Sequence, residues 1–258
     1  MLLLHCRGVS LHPLADRFGT VAESYERGRP EYPPAVAEAL AAELALGPGT
    51  AVLDLAAGTG KLSGALLAAG LDVVAVEPQA PMREVLAAKL GPERVRDGLA
   101  EAIPLGERSV AAVTVADAIH WFKQEEALRE IARVLKPGGG LAVLTTIADW
   151  GSASWAHQVG TLIAGLRPSH PYFDGTPWQE SVRASGRFGE PREVSMTWQQ
   201  EVNTEVIVAY VASMSWIAAL EEPRRSQTLA RITELIERGE TPARLPIHVR
   251  IGLAELAR

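Results

Sequence analysis

Two carboxylates and a pair of glycines pose the chemical question. Asp54 lies near the end of the apolar run Ala51–Leu55, Gly58 and Gly60 follow at a Gly-x-Gly spacing, and Glu77 closes a second apolar run, Asp72–Glu77. A strand handing over to a helix through such a loop is built to meet a nucleotide or a nucleoside. A P-loop needs Gly, four residues and then Gly-Lys-Ser/Thr. Around Gly60-Lys61 the first position is Leu55 and the last is Leu62, so that reading fails. The dinucleotide fingerprint comes closer, because Gly58, Gly60 and Gly64 form G-x-G-x-x-x-G, one residue too long. Glu77 then stands where an acid meets a ribose diol. Asp54 is the obstacle, since a carboxylate under the loop repels a pyrophosphate seated on the helix N-terminus. A cationic nucleoside without phosphates turns that objection into an advantage. Asp54 would attract the cation, and Glu77 would accept both ribose hydroxyls at ~1.5–3 kcal/mol for each charge-assisted hydrogen bond.

The elements that must position these groups alternate regularly in the first half. Strands are expected over Ala51–Leu55, Asp72–Glu77, Arg94–Asp97, Val110–Ala116 and Leu141–Ile147. Helices are expected over Lys61–Ala69, Ala80–Leu90 and Gln124–Leu135, and Lys136–Gly140 should break the last of them. Near-continuous apolar strands alternating with helices predict a parallel sheet covered on both faces, with ligands at the carboxyl ends of its strands. The second half is less regular. Residues 148–190 carry Trp150, Trp155, Tyr172, Phe173 and Trp178 without a steady period, and these aromatics suggest an apolar cap over a substrate. A strand over Glu193–Gln199, helices over Thr204–Leu220 and Pro223–Arg238, and a last strand over Leu245–Ile251 complete the reading. Residues 1–15 are expected to be a disordered or loosely docked leader, 16–147 a core with an N-terminal lid, and 148–258 cap helices and C-terminal strands completing the same domain.

Composition narrows the functions available. With 258 residues, 47% hydrophobic and 22% charged, the chain suits one large α/β domain. A net charge of −6 argues against a nucleic-acid footprint. The single cysteine, Cys6, leaves no internal disulfide and no cysteine-rich metal site, so a cytoplasmic location is the default expectation. The opening leucines are too few for a signal sequence, and no run reaches the ~18 to 20 apolar residues of a membrane span. His157 and His170 have no metal-ligand spacing.

The motifs in order resemble those of class I S-adenosylmethionine-dependent methyltransferases (type 11 domain). They are V-L-D-L-A-A-G-T-G from Val52, V-E-P at 76–78 and L-K-P-G-G at 135–139. Y-E-R-G-R-P-E-Y-P, Tyr25–Pro33, resembles the entry segment of small-molecule methyltransferases. A-D-A-I-H-W-F, Ala116–Phe122, resembles an element of the trans-aconitate methyltransferase-related subgroup. The resemblance implies a Rossmann-like, seven-stranded, mostly parallel sheet with helices on both faces and a helical substrate cap. It implies S-adenosylmethionine as cofactor, S-adenosylhomocysteine as product, and no metal. Tyr25, Asp54, Ala56, Gly58 and Gly60 would line the methionine and ribose part. Glu77 would take the ribose, Pro78 and Met82 the adenine edge, with Leu99 and Ala100 beyond them. Leu99 stands where the family often has Asp, so the Ala100 N–H would recognise adenine instead. Asp117 replaces a usual Gln.

Arg29, Tyr32, His120, Trp121 and Trp150 are the candidates for the acceptor side. Arg29 would pair with a substrate carboxylate or fix the lid by a salt bridge. His120 follows the fourth strand and would serve either as a proton acceptor or as a pocket wall orienting Trp121. Methyl transfer from a sulfonium can proceed by alignment alone, which supplies ~7–11 kcal/mol. Oxygen, as carboxylate or hydroxyl, is the expected acceptor atom; no Asn-Pro-Pro-Tyr-like element, common in amino-group methylases, follows the fourth strand, and carbon, as in the related quinone-biosynthesis enzymes, stays open as the alternative. The expected partner is a small molecule, with no nucleic acid and no membrane, and a monomer or homodimer. An NADP-dependent oxidoreductase is the alternative from another ligand class; an inactive S-adenosylmethionine binder is the third.

Overall fold

In the computed structural model, which describes residues 11–238 and 242–257, seven strands form one sheet. They are β1 Ala51–Leu55, β2 Asp72–Val76, β3 Val95–Arg96, β4 Val110–Ala116, β5 Leu135–Ala148, β6 Arg192–Glu201 and β7 Arg244–Glu255. Their order is β3-β2-β1-β4-β5-β7-β6, and only β7 runs against its neighbours. The expected mostly parallel, seven-stranded sheet is present. Between β1 and β4 the order reverses, and this switch point opens a crevice at the carboxyl ends of both strands.

Both faces are covered because the central strands are apolar on both. Val52, Leu53 and Leu55 are fully buried, each contributing about 1.5–3 kcal/mol through burial. One face packs under the helices Gln124–Val134 and Trp178–Ser185, through Leu128, Ile131 and Val182. The other packs under Pro34–Glu43, Lys61–Ala68 and Ala80–Leu90, through Leu40, Leu66 and Leu86. A third cluster belongs to the cap. The helices Ser154–Gly165, Thr204–Ala212 and Arg224–Glu237 gather around Trp155, Ile207 and Ile232, and dock on β7 at Leu245 and Ile247.

Several boundaries differ from the sequence expectation, each for a local reason. The breaker at Lys136–Gly140 lies inside β5. The pairing jumps from Val110↔Leu135 to Ala112↔Gly140, so the glycines form an irregularity between two paired stretches. The helix expected over Thr204–Leu220 is two, Thr204–Ala212 and Ser215–Ala218. The Ser213 hydroxyl donates back to the Tyr210 carbonyl at 2.7 Å, and Met214 is extended, which ends the first helix there. The helix Trp178–Ser185 packs in the core beside Gly252, so Trp178 is not part of the cap. Residues 1–10 of the expected leader lie outside the described residues. Leu11 to Ala15 run directly into a 3-10 segment, Ala15–Val21, over the crevice.

The segment expected to form the lid is the helix Ala22–Gly28 and the extended residues after it. It crosses the cap helix Thr204–Ala212 closely enough that a Cβ on Gly28 would lie 2.0 Å from the Tyr210 backbone nitrogen. Only glycine permits that approach.

Candidate active site

The loop after β1 is shaped by backbone conformations that side chains rarely adopt. Ala56 has φ +55° and Asp117, at the end of β4, φ +51°; both line the crevice. Strained non-glycine residues of this kind persist at sites where the surroundings hold them for a purpose. Gly60 starts the next helix at φ +84°, and a Cβ there would approach Leu86 to 2.6 Å. Gly60 thus fits the loop against the neighbouring helix and does not line the cavity. A Cβ on Gly64 would meet nothing within 4 Å. The third glycine of the dinucleotide fingerprint, which serves close helix–strand packing, has no such task here.

Glu77 turns its carboxylate onto that loop. Oε2 accepts the Gly58 N–H and Oε1 the Gln79 N–H, both at 2.9 Å. Burial pushes its pKa up to about 7, against those two hydrogen bonds and the charge of Arg83. Asp54 departs from expectation. It lies beneath the loop and lines none of the crevice cavities, and its oxygens accept from Ser63 Oγ at 2.5 Å and Thr114 Oγ1 at 3.0 Å. Burial raises it to about 6. Asp54 therefore braces the loop, helix and β4 from below. The aspartate that faces the crevice is Asp117, which accepts from the Thr146 N–H at 2.9 Å and from the Thr146 hydroxyl.

Three adjoining cavities open from this switch point. The first and narrower is walled by Tyr25, Ala56, Gly58, Glu77, Pro78, Met82, Leu99, Ala100, Trp121 and Phe122, and roofed by Leu11, Ala15 and Phe18. Its charged lining is Glu77, Glu101 and Asp117, with no cationic side chain among the described residues. The Ala100 N–H makes no hydrogen bond among the described residues. The Gln79 side chain ties the roof down, accepting the Gly19 N–H and donating to the Ala15 carbonyl at 2.7 Å.

The second is a chamber under the cap, and it shares Phe18, Tyr25, Asp117 and Trp121 with the first. His120, Trp150, His170, Tyr172, Tyr210 and Trp216 form much of its wall. The His120 ring lies 4.5 Å from Trp121 and 5.5 Å from His170, centroid to centroid. Burial lowers His120 to about 3 and His170 to about 4, aided by neighbouring positive charges. Both are neutral at physiological pH, and a base that weak gives little help in removing a hydroxyl proton. His170 Nδ1 accepts the Tyr172 N–H, so the neutral ring carries its proton on Nε2, 3.2 Å from Ser215 Oγ.

The third cavity is small and lies between lid and loop, lined by Tyr25, Arg29, Tyr32, Ala56, Lys61, Asp117 and Thr146. Tyr32, expected beside the acceptor, belongs here and packs toward Trp198 of β6 instead of entering the chamber. Arg29 lines both this cavity and the chamber. It donates from Nε to Ser213 Oγ at 2.9 Å and stands over the Tyr25 and Tyr210 rings at 5.2 and 5.1 Å. No salt bridge fixes it among the described residues. Lys61, the first residue of the helix after the loop, is buried and pairs with Glu31, while Glu26 pairs with Lys89. Phe18, Gln79, Tyr210 and Trp216 were not among the sequence candidates. Their only sequence signal is aromatic or amide character, without a motif.

Comparison with known proteins agrees with this architecture. A methyltransferase domain model matches residues 53–143. The uncharacterized methyltransferase Rv3342 of Mycobacterium tuberculosis is 37% identical over 219 residues, covering 85% of each chain. The uncharacterized methyltransferase C25B8.09 of Schizosaccharomyces pombe is 39% identical over 226 residues, covering 85% of this chain and 87% of its own. Among solved structures, a proposed type II methyltransferase from Anaeromyxobacter dehalogenans has a TM-score of 0.57 at 23% identity, covering 88% of this chain and 97% of that one. That likeness is one of fold.

Proposed function

The chain belongs to the methyltransferase family, and we propose that it uses S-adenosylmethionine to methylate a small-molecule acceptor at oxygen. One observation carries the cofactor reading. Among the described residues the narrow cavity has three carboxylates and no cation, which suits a positively charged nucleoside and opposes a pyrophosphate. An NADP-dependent oxidoreductase does not fit that lining, nor the idle Gly64.

In this reading Glu77 receives the ribose hydroxyls, and Pro78, Met82, Leu99 and Phe122 enclose the adenine, with the Ala100 N–H free to donate to a ring nitrogen. The aminoacyl end belongs in the small cavity, where Arg29 complements a carboxylate and Asp117 an ammonium. Asp54 acts through the loop it braces. Tyr25, Phe18 and Trp121 separate the nucleoside from the acceptor and keep water from the passage between them. The cofactor, when bound, supplies an activated methyl group on a sulfonium. The chain contributes alignment: His120 is neutral and orients the acceptor, while Trp121 and Trp150 hold its body. A carboxylate or an acidic hydroxyl, which presents an electron pair without a strong base, is the acceptor that this site suits. The narrower likeness to trans-aconitate methyltransferases belongs to the same proposal, as do a cytoplasmic setting and the choice between monomer and homodimer. No helix among the described residues is long and apolar enough to cross a membrane.

Calorimetric titration with S-adenosylhomocysteine and with NADP(H) tests the cofactor. Micromolar binding of the first and none of the second is expected; the reverse would overturn the reading.

A further inference from the structure

The chamber under the cap differs from the rest of the molecule in composition. Eight of the chain's fourteen aromatic residues (six Trp, four Tyr, four Phe) line it. Its volume of about 380 Å³ is within the range of small-molecule sites, ~300–1,000 Å³. The two large hydrophobic residues that stand exposed among the described residues, Ile147 at 39% and Phe173 at 48%, are both in its wall. Apolar surface left to water at one cavity marks contact with a ligand better than scattered exposure does.

Charge is distributed unevenly along the same chamber. The inner end holds Asp117 with Arg29, which is already engaged by Ser213, Tyr25 and Tyr210. At the opening, Arg167 is exposed and stands over the Phe173 ring, 3.7 Å from guanidinium carbon to ring centroid. No carboxylate lies within ion-pair distance of Arg167 among the described residues. Asp174, the nearby acid, is turned to the His170 N–H at 2.7 Å and to Ser169 Oγ at 3.0 Å. Arg167 is thus a cation held in place by an aromatic ring, beside an apolar opening, with its side-chain donors making no hydrogen bond among the described residues. Between the two ends the side chains are ring faces and edges at 4.5–5.4 Å spacings, from Trp121 and His120 through Tyr172 to Phe173. Such walls favour flat conjugated bodies over puckered saturated ones.

We infer that the methyl acceptor is a flat, conjugated molecule carrying an anionic group, bound with its reacting oxygen at the Tyr25–Trp121 passage and its anionic group at the mouth on Arg167. Phe173 and Arg167 are then specificity-determining residues. This inference rests on the proposed methyltransferase reading and names the acceptor class for it.

The test is calorimetric titration of the full-length protein with three probes, with and without saturating S-adenosylhomocysteine. The probes are 6-hydroxy-2-naphthoate, its fully saturated decahydro counterpart, and its uncharged methyl ester. The naphthoate should bind at least about fivefold more tightly than the saturated acid, as expected for aromatic contacts. Arg167→Gln, at an exposed position, should weaken naphthoate by about three- to tenfold, as expected for a charge-assisted contact. It should leave the methyl ester within about twofold, since the ester has no charge to lose. Equal affinity for flat and saturated acids, no binding of either, or equal losses for acid and ester in Arg167→Gln would each overturn the inference. Failure of S-adenosylhomocysteine to bind in the same titrations would strike the methyltransferase reading instead, and the acceptor comparison without it would still be readable.

Discussion

The narrow cavity and the cap chamber share four wall residues and otherwise have little in common. The first is built from strand ends and loop backbone, and its charges among the described residues are all negative. The second is built from side chains of helices far apart in sequence; it is aromatic, with two arginines and one aspartate. A common nucleoside can be met by backbone geometry that the sheet imposes, whereas an acceptor is met by side chains that the cap can exchange. The division of labour between cavities follows from that difference in construction.

Breaking the first cavity alone should have the largest effect. Glu77→Ala should weaken S-adenosylhomocysteine at least about tenfold, since charge-assisted hydrogen bonds are worth ~1.5–3 kcal/mol. Aromatic-acid binding in the absence of S-adenosylhomocysteine should stay unchanged, and titration of both ligands checks the separation. The pH dependence sharpens the same point. Burial raises Glu77 from its ordinary 4.5 to about 7, so the empty protein is part-protonated there at neutrality. Ribose hydroxyls favour the ionised carboxylate, so affinity should rise with pH through about 7 and binding should release protons. Calorimetry in buffers of different ionisation enthalpy measures that release. For the empty fold the sign is opposite: the folded protein holds the Glu77 proton more tightly, so stability should fall as pH rises from 4.5 to about 7. Glu77→Gln should remove that part of the slope in thermal melts.

The junction of lid and cap comes next. Gly28→Ala places a methyl against the Tyr210 backbone and should cost about 1–3 kcal/mol of stability, measured by denaturant unfolding. Lys61→Met removes the ion pair with Glu31, whose partner side is exposed, so the expected loss is under about 1 kcal/mol. Its clearer signature should be faster dissociation of S-adenosylhomocysteine in stopped-flow measurements. The smallest effect is expected at His120. His120→Asn should keep turnover within about threefold, and the pH–rate profile should carry no histidine step between pH 5 and 8, because the ring is already neutral. A step that disappears in the variant would restore it as a base.

How much of this was legible in the sequence follows the same division. β1, β2 and β4 were readable to within a residue because strands buried on both faces are continuous apolar runs. The sheet then brought Asp54, Gly58 and Glu77 to one place, as their positions at strand ends predicted. Direction was not legible. Nothing in the spacing distinguishes a carboxylate facing the crevice from one facing Ser63 and Thr114 below it, so of the two candidate aspartates Asp117 lines the crevice and Asp54 does not. The cap was seen as an aromatic region without period. Its short helices turn rings inward across a cavity instead of along one helix face, and Tyr210 and Trp216 join them from a segment about 50 residues further along. The burial of Lys61 was not legible either, because its partner, Glu31, lies thirty residues earlier in the chain.

The most direct test of the division between the cavities is a crystal structure of the protein with S-adenosylhomocysteine. The ribose hydroxyls should lie on Glu77, the adenine against Met82 and Phe122 with a ring nitrogen at the Ala100 N–H, and the cap chamber should be empty of nucleoside. A nucleoside lying among Trp150, Tyr172 and Trp216, with Glu77 uncontacted, would contradict that division.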